Sequence, residues 1–196
     1  MGVGRRLGLY SDIDKISLMS WCALTPTRSF FTRTRRMNEW PLNRQQQAVT
    51  KLWSAMCVSF PDVLLPVRDC SLFKHRYLDH PEYTYELTIV SSRLTGQPKS
   101  LTVLRTHADH LEFLDYLGPA HGVASALGAA RMQAANAGLP LLQGWFTQRL
   151  TQIFNIGEPI VQDAGIEVPT NIWGKAQVAG VLASPIWLMA GDSDFR

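Results

Sequence analysis

Cysteine is scarce in this chain. The three cysteines among 196 residues, Cys22, Cys57 and Cys70, form no CxxC spacing. That argues against a disulfide framework or a thiolate metal site and for reduced thiols in a cytosolic protein. Long hydrophobic runs are missing too: none approaches the roughly 20 residues a helix needs to span a bilayer. The opening Met1-Gly2-Val3-Gly4-Arg5-Arg6 is basic but no apolar core follows it, so it does not read as a signal peptide. Arg6 stands where a myristoylation signal has Ser or Thr. Charge of one sign is also lacking. The net charge is only +3, so the balance demands no nucleic-acid partner. No internal repeat or low-complexity segment occurs beyond the short polar run Gln45-Gln46-Gln47. His75, His80, His107 and His110 belong to no HExxH or paired Cys/His pattern and are not read as metal ligands.

What is present is a globular composition, 46% hydrophobic and 18% charged, which excludes disorder. The length suits one substantial domain, or one domain with an extension. Residues 1–65 differ in texture from 66–196. We read the first stretch as an N-terminal extension, or the remnant of a preceding half, carrying one helix. That helix is expected over about 44–58, capped by Asn43, with Ala48, Val49, Leu52, Trp53 and Met56 at helical spacing; Pro61 and Pro66 follow it. Before it, Arg28, Arg33, Arg35 and Arg36 interleave with Phe30 and Phe31. The pattern fits a solvated basic loop, or a surface for RNA or phosphate. Residues 68–81, dense in ionisable groups, read as a linker whose aromatic and arginine side chains dock on the domain that follows.

The second stretch alternates strands and helices. Strands are expected over 83–90 and 100–106, joined by the turn Thr95-Gly96-Gln97-Pro98, and a third over 111–117. These three read as an antiparallel meander. An Ala-rich helix over about 121–137 ends at Gly138 and leads to a strand over 139–146, a crossover that makes the sheet mixed. A short helix ends at Gly157. Extended chain to 168, a turn at 169–173, helical turns over 175–182 and a last strand at 185–189 complete the expected order. A strand that runs through glycine into a helix N-terminus leaves outward-pointing amides, a common way to hold a phosphate.

This order of elements, α/β with a mixed and mainly antiparallel sheet and flanking helices, resembles the GNAT (N-acetyltransferase) superfamily. The family's pyrophosphate loop, Q/R-x-x-G-x-G/A, matches Pro119-Ala120-His121-Gly122-Val123-Ala124 at its fourth and sixth positions, with Pro119 in place of Gln or Arg. A downstream family pattern, N-x-x-A-x-x-x-Y-x-x-x-G with small shifts in the last spacing, is echoed by Thr147, Leu150, Phe154 and Gly157. There the family's tyrosine protonates the leaving thiolate, and Phe154 has no hydroxyl to do so. Residues 73–81, 114–118 and 187–196 are similar to the C-terminal half of bacterial two-half GNAT-like proteins linked to cell-surface polysaccharide or lipid-linked biosynthesis. In those proteins the better acyl-CoA loop lies in the N-terminal half, so this chain is expected to begin after that loop.

The resemblance implies an acyltransferase that moves an acyl group from acyl-CoA, as cosubstrate, to the amine of a small-molecule or amino-sugar acceptor, in the cytoplasm. It implies Glu112 or Asp115 as base, His121 as an acid or phosphate contact, and Gly118, Gly122, Val123 and Ala124 as the amides facing the acyl-CoA phosphates. Bland alternatives stand beside each: Asp115 as partner of a nearby arginine, His121 as a helix-start polar residue, Asp192 and Asp194 as caps of a C-terminal turn. Three readings remain open. The chain is such a transferase or its CoA-binding remnant, or a non-catalytic GNAT-like module that completes another domain or subunit (a homodimer or a missing N-terminal half), or a basic protein that binds nucleic acid through 28–36.

Overall fold

The described residues form seven strands: β1 (Tyr10–Cys22), β2 (Thr32–Arg36), β3 (Glu86–Ser92), β4 (Pro98–Thr106), β5 (His110–Leu117), β6 (Leu141–Thr147) and β7 (Ile160–Asn171). Among the described residues four α-helices accompany them: α1 (Leu42–Ser59), α2 (Cys70–Phe73, continued by a π turn over Lys74–Leu78), α3 (Val123–Asn136) and α4 (Thr151–Phe154). The computed structural model describes residues 10–25, 30–171 and 184–192. The strands form one seven-stranded sheet in the order β2-β3-β4-β5-β6-β1-β7. Every neighbouring pair is antiparallel except β5 and β6, which are parallel and joined through α3. The mixed, mainly antiparallel sheet and the β3-β4-β5 meander are as the sequence leads one to expect.

The described part of residues 1–65 belongs to this same sheet. β1 pairs with β6 on one side and β7 on the other, β2 pairs with β3, and α1 buries Ala48, Val49, Leu52 and Met56 in the common core. Met19 and Trp21 of β1 are buried in that core as deeply as any residue after 66. The apolar residues of β1 do not alternate steadily, and its place in the sheet is set by pairing on both edges.

Several boundaries differ from the sequence reading, each for a physical reason. α1 starts at Leu42 rather than 44, because the Pro41 carbonyl accepts from both Arg44 N (2.9 Å) and Gln45 N (3.0 Å). Tyr83 and Tyr85 lie ahead of β3 instead of inside it: their rings gather around His80, with centroids 5.3 Å from it in each case. β7 continues through Pro169, which the sequence reads as a turn; an edge strand tolerates a residue without an N–H. The expected helical turns at 175–182 lie outside the described residues. Residues 185–189 are extended, but they make two single bridges, Leu64 with Ile186 and Phe146 with Met189, rather than a ladder.

Candidate functional site

The parallel pair β5–β6 parts halfway. Pairing runs from His110 opposite Leu141 to Phe113 opposite Gly144 and then ceases, although β5 continues to Leu117 and β6 to Thr147. A bulge at Leu114 accompanies the parting. Opposite β4 the register steps from Leu104–Phe113 to Val103–Asp115, so Leu114 is the extra residue. The bulge has a consequence that alternation conceals. Glu112 and Asp115, three apart, would face opposite sides of a regular strand. Here they sit opposite Arg105 and Val103, two apart on β4, and so share one face.

The chain fills its own opening. Residues 185–192 run between the ends of β5 and β6. Thr147 N donates to Leu188 O (3.1 Å) and Thr147 Oγ1 to Ile186 O (2.6 Å). On the other side Leu64 N donates to Pro185 O (2.8 Å) and Trp187 N to Leu64 O (2.9 Å). Trp187, fully buried, seats its ring among Phe60 (4.9 Å between centroids), Phe154 (5.6 Å) and Tyr116 (6.1 Å). Phe154 is likewise fully buried, 4.3 Å from the Phe146 ring, so it is a core residue.

Beneath this wedge lies a buried ionic cluster. Arg68, with no exposed side-chain surface, donates from Nε to Asp115 Oδ1 (2.8 Å) and from NH2 to Asp192 Oδ2 (2.5 Å). Tyr77 Oη donates to Asp115 Oδ2 (3.0 Å), Tyr116 N to Asp115 Oδ1 (2.8 Å), and Met189 N to Asp192 Oδ2 (3.1 Å). Arg76 NH1 stands 3.7 Å from Asp192 Oδ1. Burial alone would lower the Arg68 guanidinium, but Asp115 and Asp192 outweigh it and hold it above its ordinary value. Burial, then the Asp115 charge, pushes the Asp192 carboxyl up to about 6 against the pull of Arg68. Tyr77 is raised by burial and by Asp115. The cluster ties α2, β5 and the wedge together. Of its members the sequence names Asp115, as a base or as the partner of a nearby arginine, and Asp192, as the cap of a C-terminal turn; Arg68, Tyr77 and Asp192 are separated by up to 124 positions and share no spacing motif.

Glu112 occupies a different setting on the same face. Its Oε2 accepts from Arg105 Nε (3.0 Å) and NH2 (2.7 Å) and lies 2.9 Å from His107 Nε2. The His107 ring stacks on His110 at 4.4 Å. Glu112 and Arg105 form part of the wall of a cavity of about 470 Å³, with His75, Arg76, His80 and Tyr85. His121 is exposed, on the short turn Ala120–Gly122 beyond the far end of β5. Five strand steps from Glu112 to Leu117, about 16 Å, keep it from Glu112. The sequence-derived acid and bases are therefore not gathered at one point.

The glycine turn has a packing explanation. Gly118 has a φ of 151°, and a Cβ there would lie 3.0 Å from Lys99 O and Tyr116 Oη. At Gly122 a Cβ would meet Lys99 O at 2.6 Å and Tyr116 Oη at 2.7 Å. Gly122 N donates to Pro119 O (2.8 Å), and Tyr116 Oη donates to the same carbonyl (2.7 Å). The turn is thus folded down onto β4. Gly122 and Val123 are buried, and Ala124 is exposed on a groove along α3. Gly122→Ala is expected to lose about 1–3 kcal/mol by overpacking. Gly128→Ala, at a half-buried position of α3 with nothing within 4 Å of a new Cβ, is expected to gain up to about 1 kcal/mol. Urea midpoints of the two variants check both signs.

A sheet with one parallel pair, parted beyond a bulge and flanked by helices, defines a GNAT-like α/β fold. Solved structures share it. A conserved protein of unknown function from Enterococcus faecalis, described as a probable N-acyltransferase, superposes with a TM-score of 0.59 and 10% identity, over 86% of this chain and 42% of that one. A GCN5-related N-acetyltransferase from Sphaerobacter thermophilus gives 0.54 and 11%, over 86% and 55%. A functionally unknown conserved protein from Staphylococcus epidermidis gives 0.54 and 13%, over 82% and 62%. The chain thus spans between 42% and 62% of the length of these structures. No family model and no curated protein matches the sequence.

Proposed function

We propose that this chain is a GNAT-like module of an acyltransferase, serving the transfer of an acyl group from acyl-CoA to an amine in cell-surface polysaccharide biosynthesis. Within that enzyme it is the closed, supporting half, which completes a second domain or subunit. The observation that carries this reading is the wedge. Residues 185–192 occupy the parting between β5 and β6, and Trp187 fills its centre. The Gly118–Gly122 turn lies against Lys99 O and Tyr116 Oη, leaving no cradle for a pyrophosphate. The residues present do not fit an extended acyl-CoA. No helix among the described residues is long and apolar enough to cross a membrane.

Thermal unfolding with acetyl-CoA and with a long-chain acyl-CoA tests the proposal. The melting temperature of this chain alone is expected to stay where it is. A ligand at about 100 times its dissociation constant stabilises by about 2.7 kcal/mol, a shift of several degrees that would be plain to see and would sink the closed-half reading.

A second reading, transfer by this chain itself, draws on one observation. Glu112 stands in the wall of a cavity of about 470 Å³ beside His107 and Arg105. Glu112 would then take the proton of an amine held there, with Asp115 confined to the Arg68 cluster. Gly118, Gly122, Val123, Ala124 and His121 would face the donor only after the wedge had left. Stabilisation by acyl-CoA that Glu112→Gln leaves intact, together with turnover that this variant loses, would favour it.

A further inference from the structure

Three large apolar side chains stand in solvent at one corner of the sheet. Phe30 is 89% exposed, Phe31 81% and Leu94 95%. The β2–β3 ladder brings them together. Thr32 pairs with Ser92, Arg93 N donates to Phe31 O (3.0 Å), and Arg93 Nε donates to Thr32 O (2.8 Å). Leu94 is the next residue along, in the turn that joins β3 to β4. A lone exposed apolar side chain is ordinary; three at one corner are not.

Cations surround the same corner. Arg33 and Arg93 are exposed on either side of the ladder. From α1, Lys51 Nζ reaches Gln97 Oε1 (2.5 Å), and the Arg44 guanidinium lies against Gly96 of the turn. No acidic residue occurs within 30–36 or 93–97. Glu86, at the far end of the ladder, is held by Arg36 at 2.8 Å.

We propose that this corner docks on an anionic lipid surface. Phe30, Phe31 and Leu94 enter the interfacial layer, while Arg33, Arg93, Arg44 and Lys51 meet phosphate headgroups with their charged ends. Charge complementarity names the partner: apolar tips inside a ring of cations match a surface that is anionic outside and apolar within. A single-stranded nucleic acid fits less well. Its bases stack on aromatic faces, and Leu94, the most exposed of the three, has no ring.

Flotation of the full chain with vesicles tests this. Binding is expected to vesicles containing phosphatidylglycerol and not to pure phosphatidylcholine, weakening as salt rises. Phe31→Ser with Leu94→Ser, and separately Arg33→Gln with Arg93→Gln, should each lower the bound fraction about tenfold. All four positions are exposed, and unchanged melting curves will show that the variants fold. The proposal is overturned if the wild-type chain ignores anionic vesicles, or if both double variants bind as well as it does. It is equally overturned if the corner instead captures a single-stranded RNA oligonucleotide, or mediates self-association, without binding vesicles.

Discussion

Arg68→Met is expected to destabilise the protein by about 3–5 kcal/mol, the usual result of removing one partner from a buried ionic cluster. Arg68 is fully buried, and it faces two carboxylates that have 0% and 5% exposed side-chain surface. Without it, Asp115 retains Tyr77 Oη and Tyr116 N, and Asp192 retains Met189 N and the more distant Arg76. Those donors leave two like charges in a dry space. The unfolding midpoint in urea reads the loss directly. A change below about 1 kcal/mol, the level of an exposed pair, would mean that water reaches the cluster.

The same cluster gives the protein a pH dependence of definite sign. The Asp192 carboxyl is held at about 6 in the fold and has an ordinary value of about 3.9 when the chain is unfolded. The folded state therefore binds this proton more tightly. The associated stability is fully present below about pH 4 and is lost as pH rises through about 6, by at most about 3 kcal/mol. Melting temperatures across that window should fall more steeply for the wild type than for Asp192→Asn, which keeps an acceptor for Arg68 and drops the charge. Parallel slopes would remove Asp192 as the source.

Trp187→Ala is the other change with a large expected effect. The indole is fully buried and touches rings from three parts of the chain: Phe60 after α1, Tyr116 on β5 and Phe154 on α4. Truncating a buried tryptophan costs about 3–5 kcal/mol in lost burial and residual cavity. Trp187→Phe, which keeps a ring, should cost clearly less. The alanine variant also bears on function. If the wedge alone keeps acyl-CoA out, the weakened wedge should let acyl-CoA raise the melting temperature of Trp187→Ala but not of the wild type. If neither responds, the turn at Gly118–Gly122, folded onto β4, is a second barrier.

Much of the scaffold was legible in the sequence because it rests on local patterns. Strand propensity and turn residues marked β3, β4 and β5, alanine content and Gly138 marked α3, and helical spacing marked α1. Those signals, together with the order of elements, were enough for the GNAT resemblance. The edges were less legible. Tyr83 and Tyr85 have strand propensity yet pack around His80, and β1, whose partners on β6 lie 119 to 131 positions away, has no steady apolar alternation. The candidate site was the least legible. Leu114 is an ordinary strand residue, and nothing nearby in sequence announces a bulge that turns Glu112 and Asp115 to one face.

The sequence by itself determined that this is a folded α/β chain with a glycine turn between a strand and a helix, and it raised the expectation, by resemblance, that Pro119 and Phe154 replace a GNAT loop residue and acid. Periodicity and turn chemistry act over a few residues, so they can be read in order along the chain. Only the tertiary structure decided what those residues do. It seats Phe154 in the core, closes the glycine turn against Lys99 O, places Asp115 under Arg68, and drives residues 185–192 into the parting of β5 and β6. Each of these depends on contacts between segments far apart in sequence, where burial and charge pairing, rather than local preference, set the outcome.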